Sequence, residues 1–300
     1  MTVLEAIMQG VIQGATEFLP VSSSGHLSIS QHLMGLNLNS LMFDVLLHLG
    51  TLLAVVFVYR GLLVRLFVTF FSTLREIMTG KFRWSKRTDD QNLLGMLFLG
   101  LLPLGLLFVP VAGTGKQIKD FADAWATDGD ILLEGAALLV TSLLLTLGIR
   151  ADTRRANSRS TYRVRDALAV GLAQCAAAVF PGISRSGATW SIGVLCTVER
   201  KKALDYSFVL GLPAILAAVV LSVGDAVHEP LQIGTAPLIA GMTAAAAVGF
   251  LAIKAFQWMA ASNRMKLFAW YTFAAGLATI ILGIVEHCTG TAIFSGTPLT

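Results

Sequence analysis

Charge is what this sequence has least of. Only 13% of its 300 residues are Asp, Glu, Lys or Arg, against about 25% in soluble domains. That scarcity, with 55% hydrophobic residues and a mean hydropathy of +0.72, excludes an ordinary soluble domain. Cysteine is nearly absent as well. Cys175, Cys196 and Cys288 show no C-x-x-C spacing, so neither a disulfide framework nor a zinc site is expected. The opening stretch lacks a basic segment ahead of its apolar run and carries Glu5, Gln9, Gln13 and Glu17 through it. It is therefore expected to be retained and not cleaved as a signal peptide. Nothing in the pattern points to nucleic acid.

What remains is a set of apolar runs of about 20 residues, each able to cross a ~30 Å hydrocarbon core. Full spans are expected at Leu41–Tyr59, Leu93–Pro110, Ile131–Ile149, Leu204–Val223, Pro237–Phe256 and Leu267–Val285. Arginines and lysines fall between Arg60 and Arg87, between Arg150 and Arg165, at Arg200 to Lys202 and at Arg264 and Lys266. Placing these clusters in the cytoplasm gives a consistent alternation with both termini outside. The intervening loops carry Asp120, Asp123, Asp128 and Asp130, then Asp225 and Glu229.

Two further apolar segments are interrupted, the first by Pro20 and Ser22-Ser23-Ser24-Gly25, the second by Pro181-Gly182 and Ser184-Arg185-Ser186-Gly187. Each reads as a helix that enters the membrane, breaks at its proline and turns back, with Ser/Gly starting a new helix. Laid on itself at an offset of 161, the chain matches Gly10 to Gly171, Gln13 to Gln174, Pro20 to Pro181, Ser23 to Ser184, Asp44 to Asp205 and Gly50 to Gly211. At this offset Arg185 falls on Ser24, and Glu17 and His26 fall on Ala178 and Gly187. The charge pattern runs the two halves in opposite directions. The expectation is thus one all-α polytopic membrane domain over 1–300, with six transmembrane helices, two re-entrant broken-helix hairpins and an inverted-topology repeat. The repeats cover about 5–110 and 166–285, joined by the span 131–149 and the basic loop 150–165. Inverted repeats with broken helices bring polar sites together near the membrane midplane.

The second loop suits an anion: glycines admit backbone, a helix start offers free N–H groups, and Arg185 grips two oxygens at once. Gly182, Ser184, Ser186, Gly187 and Thr189 are its expected phosphate contacts, with Gln13, Ser22 and Ser24 from the first loop. Glu17, Ser23 and His26 supply base, nucleophile and acid/base groups, a sufficient set for phosphoryl transfer. Pairing of Arg185 with Glu17 simply to tie the hairpins is the structural alternative, and Gln13 has one in a hydrogen bond to Gln174. Asp44, His48 and Asp205 are read as satisfying one another, with lining of the cavity as the alternative, and the five tryptophans as interface anchors or packing.

The segments Q-G-A-T-E-F-L-P-V-S-S-S-G-H at 13–26 and P-G-I-S-R-S-G-A-T at 181–189 resemble the two signature motifs of the bacterial undecaprenyl-diphosphate phosphatases, the bacitracin-resistance family. The resemblance covers essentially the whole chain. It implies hydrolysis of undecaprenyl diphosphate, or related isoprenoid diphosphates, to the monophosphate and inorganic phosphate, recycling the carrier for cell-wall synthesis. It also implies a divalent cation, Mg2+ or Ca2+, with Glu17 as a ligand, and a site facing the periplasm across the bacterial inner membrane. The bilayer is the expected surrounding partner, and a homodimer is compatible with the sequence. Position 13 departs from the family's E-x-x-x-E pattern by carrying Gln13, so a metal site of two carboxylates is not complete here.

A transporter or flippase for a phosphorylated lipid is the reading from another class, because inverted repeats are first a transporter signature. A second lipid-phosphatase pattern, S-R-x5-H, requires histidine at position 191, where this chain has Ser191. The motif leaves open whether Ser23 or His26 attacks phosphorus; Ser23 is taken as the nucleophile, with Arg185 holding the phosphoryl oxygens. Trapping with labelled substrate is expected to yield a phosphoenzyme stable to acid and labile to alkali, and an acid-labile linkage would reject serine.

Overall fold

The computed structural model describes residues 1–35, 41–127, 130–154, 158–226, 233–262, 264–291 and 293. Asp128 and Glu229, expected in outer loops, lie outside the described residues. The described chain is helical, with two isolated β-bridges and no strand. Its helices are α1 (Val3–Phe18), α2 (Ser23–Met34), α3 (Leu41–Met78), α4 (Asp89–Leu101), α5 (Ile118–Thr127), α6 (Leu132–Arg154), α7 (Val164–Val179), α8 (Arg185–Leu195), α9 (Arg200–Ala226), α10 (Thr235–Ala261) and α11 (Lys266–Thr289). Six of the described helical stretches are long and apolar enough to cross a membrane, and they correspond to the six expected spans. This is a multi-pass membrane protein.

Local chemistry explains the helix ends. Thr2 and Glu5 form a capping box on α1, and Thr88 and Gln91 form another on α4. Helix α3 runs well past Tyr59, so Arg60, Arg65 and Arg75 sit on the helix and not in a loop. No proline interrupts it, and long arginine stems can lie along apolar surface while their heads reach water. The Leu93–Pro110 span, by contrast, is not one α-helix. After Leu101 it tightens into a seven-residue 3-10 helix, Leu102–Phe108, because Pro103 at its start has no N–H to continue the α ladder.

Helices α1 and α2 form one hairpin, α7 and α8 another, and each leans on the opposite half of the chain. Helix α1 lies along α10, and α7 lies along α4. A Cβ on Gly10 would stand 2.2 Å from the Gly241 carbonyl oxygen, and one on Gly171 would stand 2.4 Å from that of Gly100. Gly10 and Gly171 are a pair at the 161-residue offset, so both crossings use the same close approach of bare backbone. An edge-to-face aromatic run, Phe18–Phe208–Phe256–Phe268, then fills the centre between the halves, with centroids 5.6–5.7 Å apart. Trp190 is fully buried packing, whereas Trp84, Trp258 and Trp270 face outward.

The repeat is not of constant register. Helices α1 and α7 start and end at the 161 offset, but the N-caps of the following helices, Ser22 and Ser184, differ by 162. The second turn holds one residue more. Ser23 therefore corresponds to Arg185, each the first residue of its helix, and not to Ser184 as a constant offset implies.

Gly10→Ala and Gly171→Ala are each expected to destabilise the protein by about 1–3 kcal/mol through overpacking. Gly61→Ala, with nothing within 4 Å of its Cβ, is expected to be neutral or stabilising by up to about 1 kcal/mol. Thermal unfolding in detergent measures all three.

Candidate active site

Both broken turns are built to start a helix abruptly. Ser22 takes a positive φ of 74°, and its Oγ accepts from Gly25 N at 3.3 Å. Ser184 Oγ accepts from Gly187 N at 3.1 Å, and Gly182 carries the positive φ of the second turn, 94°. A side chain at Gly182 would also strike the Glu134 carbonyl oxygen at 2.7 Å. The turns then lace together. Gly182 N donates to Ser24 Oγ at 3.3 Å, and Ser186 Oγ donates to the Leu19 carbonyl at 3.1 Å. From α6, Thr141 Oγ accepts from Ser184 N at 2.9 Å.

This lacing aims the first residues of α2 and α8 at one carboxylate. Ser23 Oγ donates to Glu17 Oε2 at 2.6 Å, and Arg185 Nη2 donates to Glu17 Oε1 at 2.8 Å. Gln13 Nε2, one turn back on α1, donates to Oε2 at 3.0 Å. Glu17 is only 6% exposed, and donors to both of its oxygens offset the cost of burying its charge. His48 of α3 completes the ring. Its Nδ1–H donates to the Asp44 carbonyl at 2.7 Å, and Nε2 comes to 3.3 Å from Glu17 Oε2.

These groups sit in a cavity of about 350 Å³. Glu17, Ser22, Ser23, Ser24, His48, Gln174, Ser184 and Arg185 line its polar part. Leu104, Leu107 and Phe108 from the 3-10 segment, and Ala214 to Leu221 on α9, supply apolar walls. Two helix N-termini adjoin it, which favours an anion.

The remaining expected site residues are nearby but outside that lining. His26 turns elsewhere: Nδ1–H donates to the Ser22 carbonyl at 2.7 Å, leaving Nε2 to accept from Tyr271 Oη at 2.8 Å. Thr189 Oγ1 donates to the Arg185 carbonyl at 2.7 Å and meets Ser207 Oγ. Gly182 and Ser186 hold the turns to each other, and Gly187 N–H donates to Ser184 Oγ within the second turn. Gln13 does not pair with Gln174, whose buried side-chain amide has no hydrogen-bond partner among the described residues. Gln174 and Tyr271 were not expected at the site, and His48 lines the cavity instead of being satisfied with Asp44 and Asp205, whose carboxylates accept from Gln31 and Tyr59. The one available signal was the single-turn spacing of Asp44 and His48, but the partner of His48 comes from another helix.

A resident divalent cation does not fit this donor set. Glu17 is the one carboxylate in the cavity lining, and both of its oxygens are engaged by Arg185, Ser23 and Gln13. Gln13 brings an amide N–H to Glu17 where a second carboxylate would be needed. Among the described residues no three His, Cys, Asp or Glu side chains gather as ligands.

The fold and site together define a polytopic membrane protein with a polar, arginine-bearing cavity at two helix-breaking turns. Residues 6–278 match the family described as bacitracin resistance protein BacA, and the chain belongs to that family. It is 37% identical over 281 residues to the undecaprenyl-diphosphatase of Desulfosudis oleivorans, covering 94% of this chain and 98% of that one. With the undecaprenyl-diphosphatase of Rubrobacter xylanophilus it shares 34% over 285 residues, 94% and 98% of the two chains. With that of Methanobrevibacter smithii it shares 31% over 288 residues, 96% and 99% of the two.

Replacing His48 by Leu removes a polar contact to a charged group, worth about 1.5–3 kcal/mol. Phosphate release from an isoprenoid diphosphate is expected to fall about 10- to 100-fold in kcat/KM. An unchanged rate would exclude His48 from the working site.

Proposed function

We propose that this protein hydrolyses undecaprenyl diphosphate, and related isoprenoid diphosphates, to the monophosphate and inorganic phosphate. The observation that carries this reading is Ser23 Oγ at 2.6 Å from Glu17 Oε2, while Arg185 holds Oε1 at 2.8 Å, at the polar end of an apolar-walled cavity. The diphosphate enters at Arg185 and the two helix starts. The isoprenoid chain lies along Leu104, Leu107, Phe108 and the α9 wall. Gln174, an amide with no hydrogen-bond partner among the described residues, faces the same space and can meet a phosphoryl oxygen.

Glu17 takes the hydroxyl proton as Ser23 Oγ attacks the terminal phosphorus. The Oγ–P bond forms, the P–O–P bridge breaks, and the lipid monophosphate leaves. Glu17 passes its proton to the departing monophosphate; water then attacks the phosphoserine, giving a proton to Glu17, which returns it to Ser23 Oγ as phosphate leaves. Arg185 and the helix N-termini stabilise the charge on the phosphoryl oxygens. His26 pins the strained Ser22 backbone; direct proton transfer by it would require Tyr271 to release Nε2. Any Mg2+ or Ca2+ the reaction uses would come with the diphosphate, since such ions bind substrate phosphates readily and no cage of His, Cys, Asp or Glu gathers among the described residues.

An outward-facing site in the bacterial inner membrane is part of the proposal. Helix α3 lines the cavity with Val45 and His48 and carries Arg60, Arg65 and Arg75 toward its other end. Helix α9 lines it from Ala214 onward and begins at Arg200-Lys201-Lys202. The cavity thus lies away from the basic ends, which supports a periplasmic opening; inverted repeats and a role in recycling the cell-wall lipid carrier belong to the same proposal. Such recycling accounts for bacitracin resistance.

With undecaprenyl diphosphate in detergent, Ser23→Ala is expected to abolish phosphate release. Glu17→Gln should lower kcat by about 10²–10⁴, and Arg185→Ala by about 10²–10³. Absence of phosphate release from the native protein, together with loss of lipid movement across vesicles in Arg185→Ala, would replace the enzyme reading with a flippase.

A further inference from the structure

Arg185 reaches Glu17 by passing over a helix that leaves room for it at a single residue. Gly211 is buried in the interior of α9. A Cβ built there would stand 1.7 Å from Arg185 Nη1, 2.6 Å from Cζ and 3.1 Å from Nη2. No side chain other than hydrogen can coexist with the guanidinium where it now lies. Nη1 itself is buried and has no hydrogen-bond partner among the described residues, whereas Nη2 is bound to Glu17. One edge of the guanidinium is thus anchored, and the other is held with unspent donors.

Glycine is a costly choice at such a site on stability grounds, since a helix interior favours alanine over glycine by about 1 kcal/mol. The repeat sharpens the point. Gly50, the counterpart of Gly211 at the 161 offset, is required by backbone: its Cβ would stand 2.5 Å from the Met242 carbonyl oxygen. Gly211 meets no backbone within its three nearest contacts, only the flexible end of Arg185. A close-packing position in one half has become, in the other, the space for the phosphate-binding cation.

We infer that Gly211 is a positioning residue for the reaction, its missing side chain being the slot that seats Arg185 against Glu17 with Nη1 left for a phosphoryl oxygen. This rests on the reading of Arg185 as the phosphate-holding group. A methyl at 211 displaces the guanidinium without breaking the helix, so its cost to stability is limited to the Arg185–Glu17 pair. A residue needed for packing would cost stability even with Arg185 removed.

The test measures phosphate release from undecaprenyl diphosphate and thermal unfolding in detergent for Gly211→Ala, Arg185→Ala and the double variant. Gly211→Ala is expected to lose about 100-fold or more in kcat/KM, comparable to removing a charge-stabilising donor, with a melting temperature no lower than that of Arg185→Ala, because the Arg185–Glu17 pair is all that it disturbs. The double variant should match Arg185→Ala in activity, and the added methyl should leave its melting temperature equal or higher, because the slot is then empty. Near-native activity of Gly211→Ala beside an inactive Arg185→Ala would overturn the inference. So would a fall in melting temperature on adding Gly211→Ala to the Arg185→Ala background, which would make Gly211 a packing residue. An active Arg185→Ala would instead reject the phosphate-binding role of Arg185.

Discussion

One buried carboxylate holds the site together. Glu17 accepts from Ser23, Gln13 and Arg185, with His48 beside it, so elements from both halves of the chain end at two oxygen atoms. A charge this far from water is tolerable only when its lone pairs are filled, and removing one partner of such a pair costs about 3–5 kcal/mol. Geometry follows from that demand. The Ser23 hydroxyl is oriented because its proton has one strong acceptor, and the Arg185 guanidinium because its Nη2 is bound to the same carboxylate.

The carboxylate could not gather these groups unless bare backbones first came close. Gly10 against Gly241 and Gly171 against Gly100 bring α1 and α7 onto the opposite half, setting the depth at which the two turns meet. Within the turns, a positive φ at Ser22 and at Gly182 reverses the chain in a few residues. The extra residue in the second turn then sets Arg185 opposite Ser23. Two equivalent helix starts thereby carry different chemistry to the same acceptor, one a hydroxyl and one a cation.

Amphipathy of the cavity reflects a third constraint. Pro103 stops α4 short, and the 3-10 continuation turns Leu104, Leu107 and Phe108 to face α9. A straight α-helix would distribute those residues at a different angular spacing. The polar end belongs to the two turns, and the apolar walls belong to spanning helices whose outer faces meet lipid.

Much of this was legible in one dimension. Hydropathy marked the six spans, and Pro20, Pro181 and the Ser/Gly runs marked the turns, because each is a property of residues within a few positions of one another. Helix ends were less legible: α3 and α9 extend through basic residues taken as loop, since a long side chain can carry its charge to water without ending a helix. Glu17, Ser23 and Arg185 were identified by residue type and motif, and by family likeness. Which atoms meet was decided only in three dimensions. Glu17 and Arg185 are 168 residues apart, His48 reaches Glu17 from a third helix, and His26 turns to Tyr271, none of which a local pattern encodes. Crossing angle and helix rotation choose those partners, and they are set by close packing summed over the whole molecule.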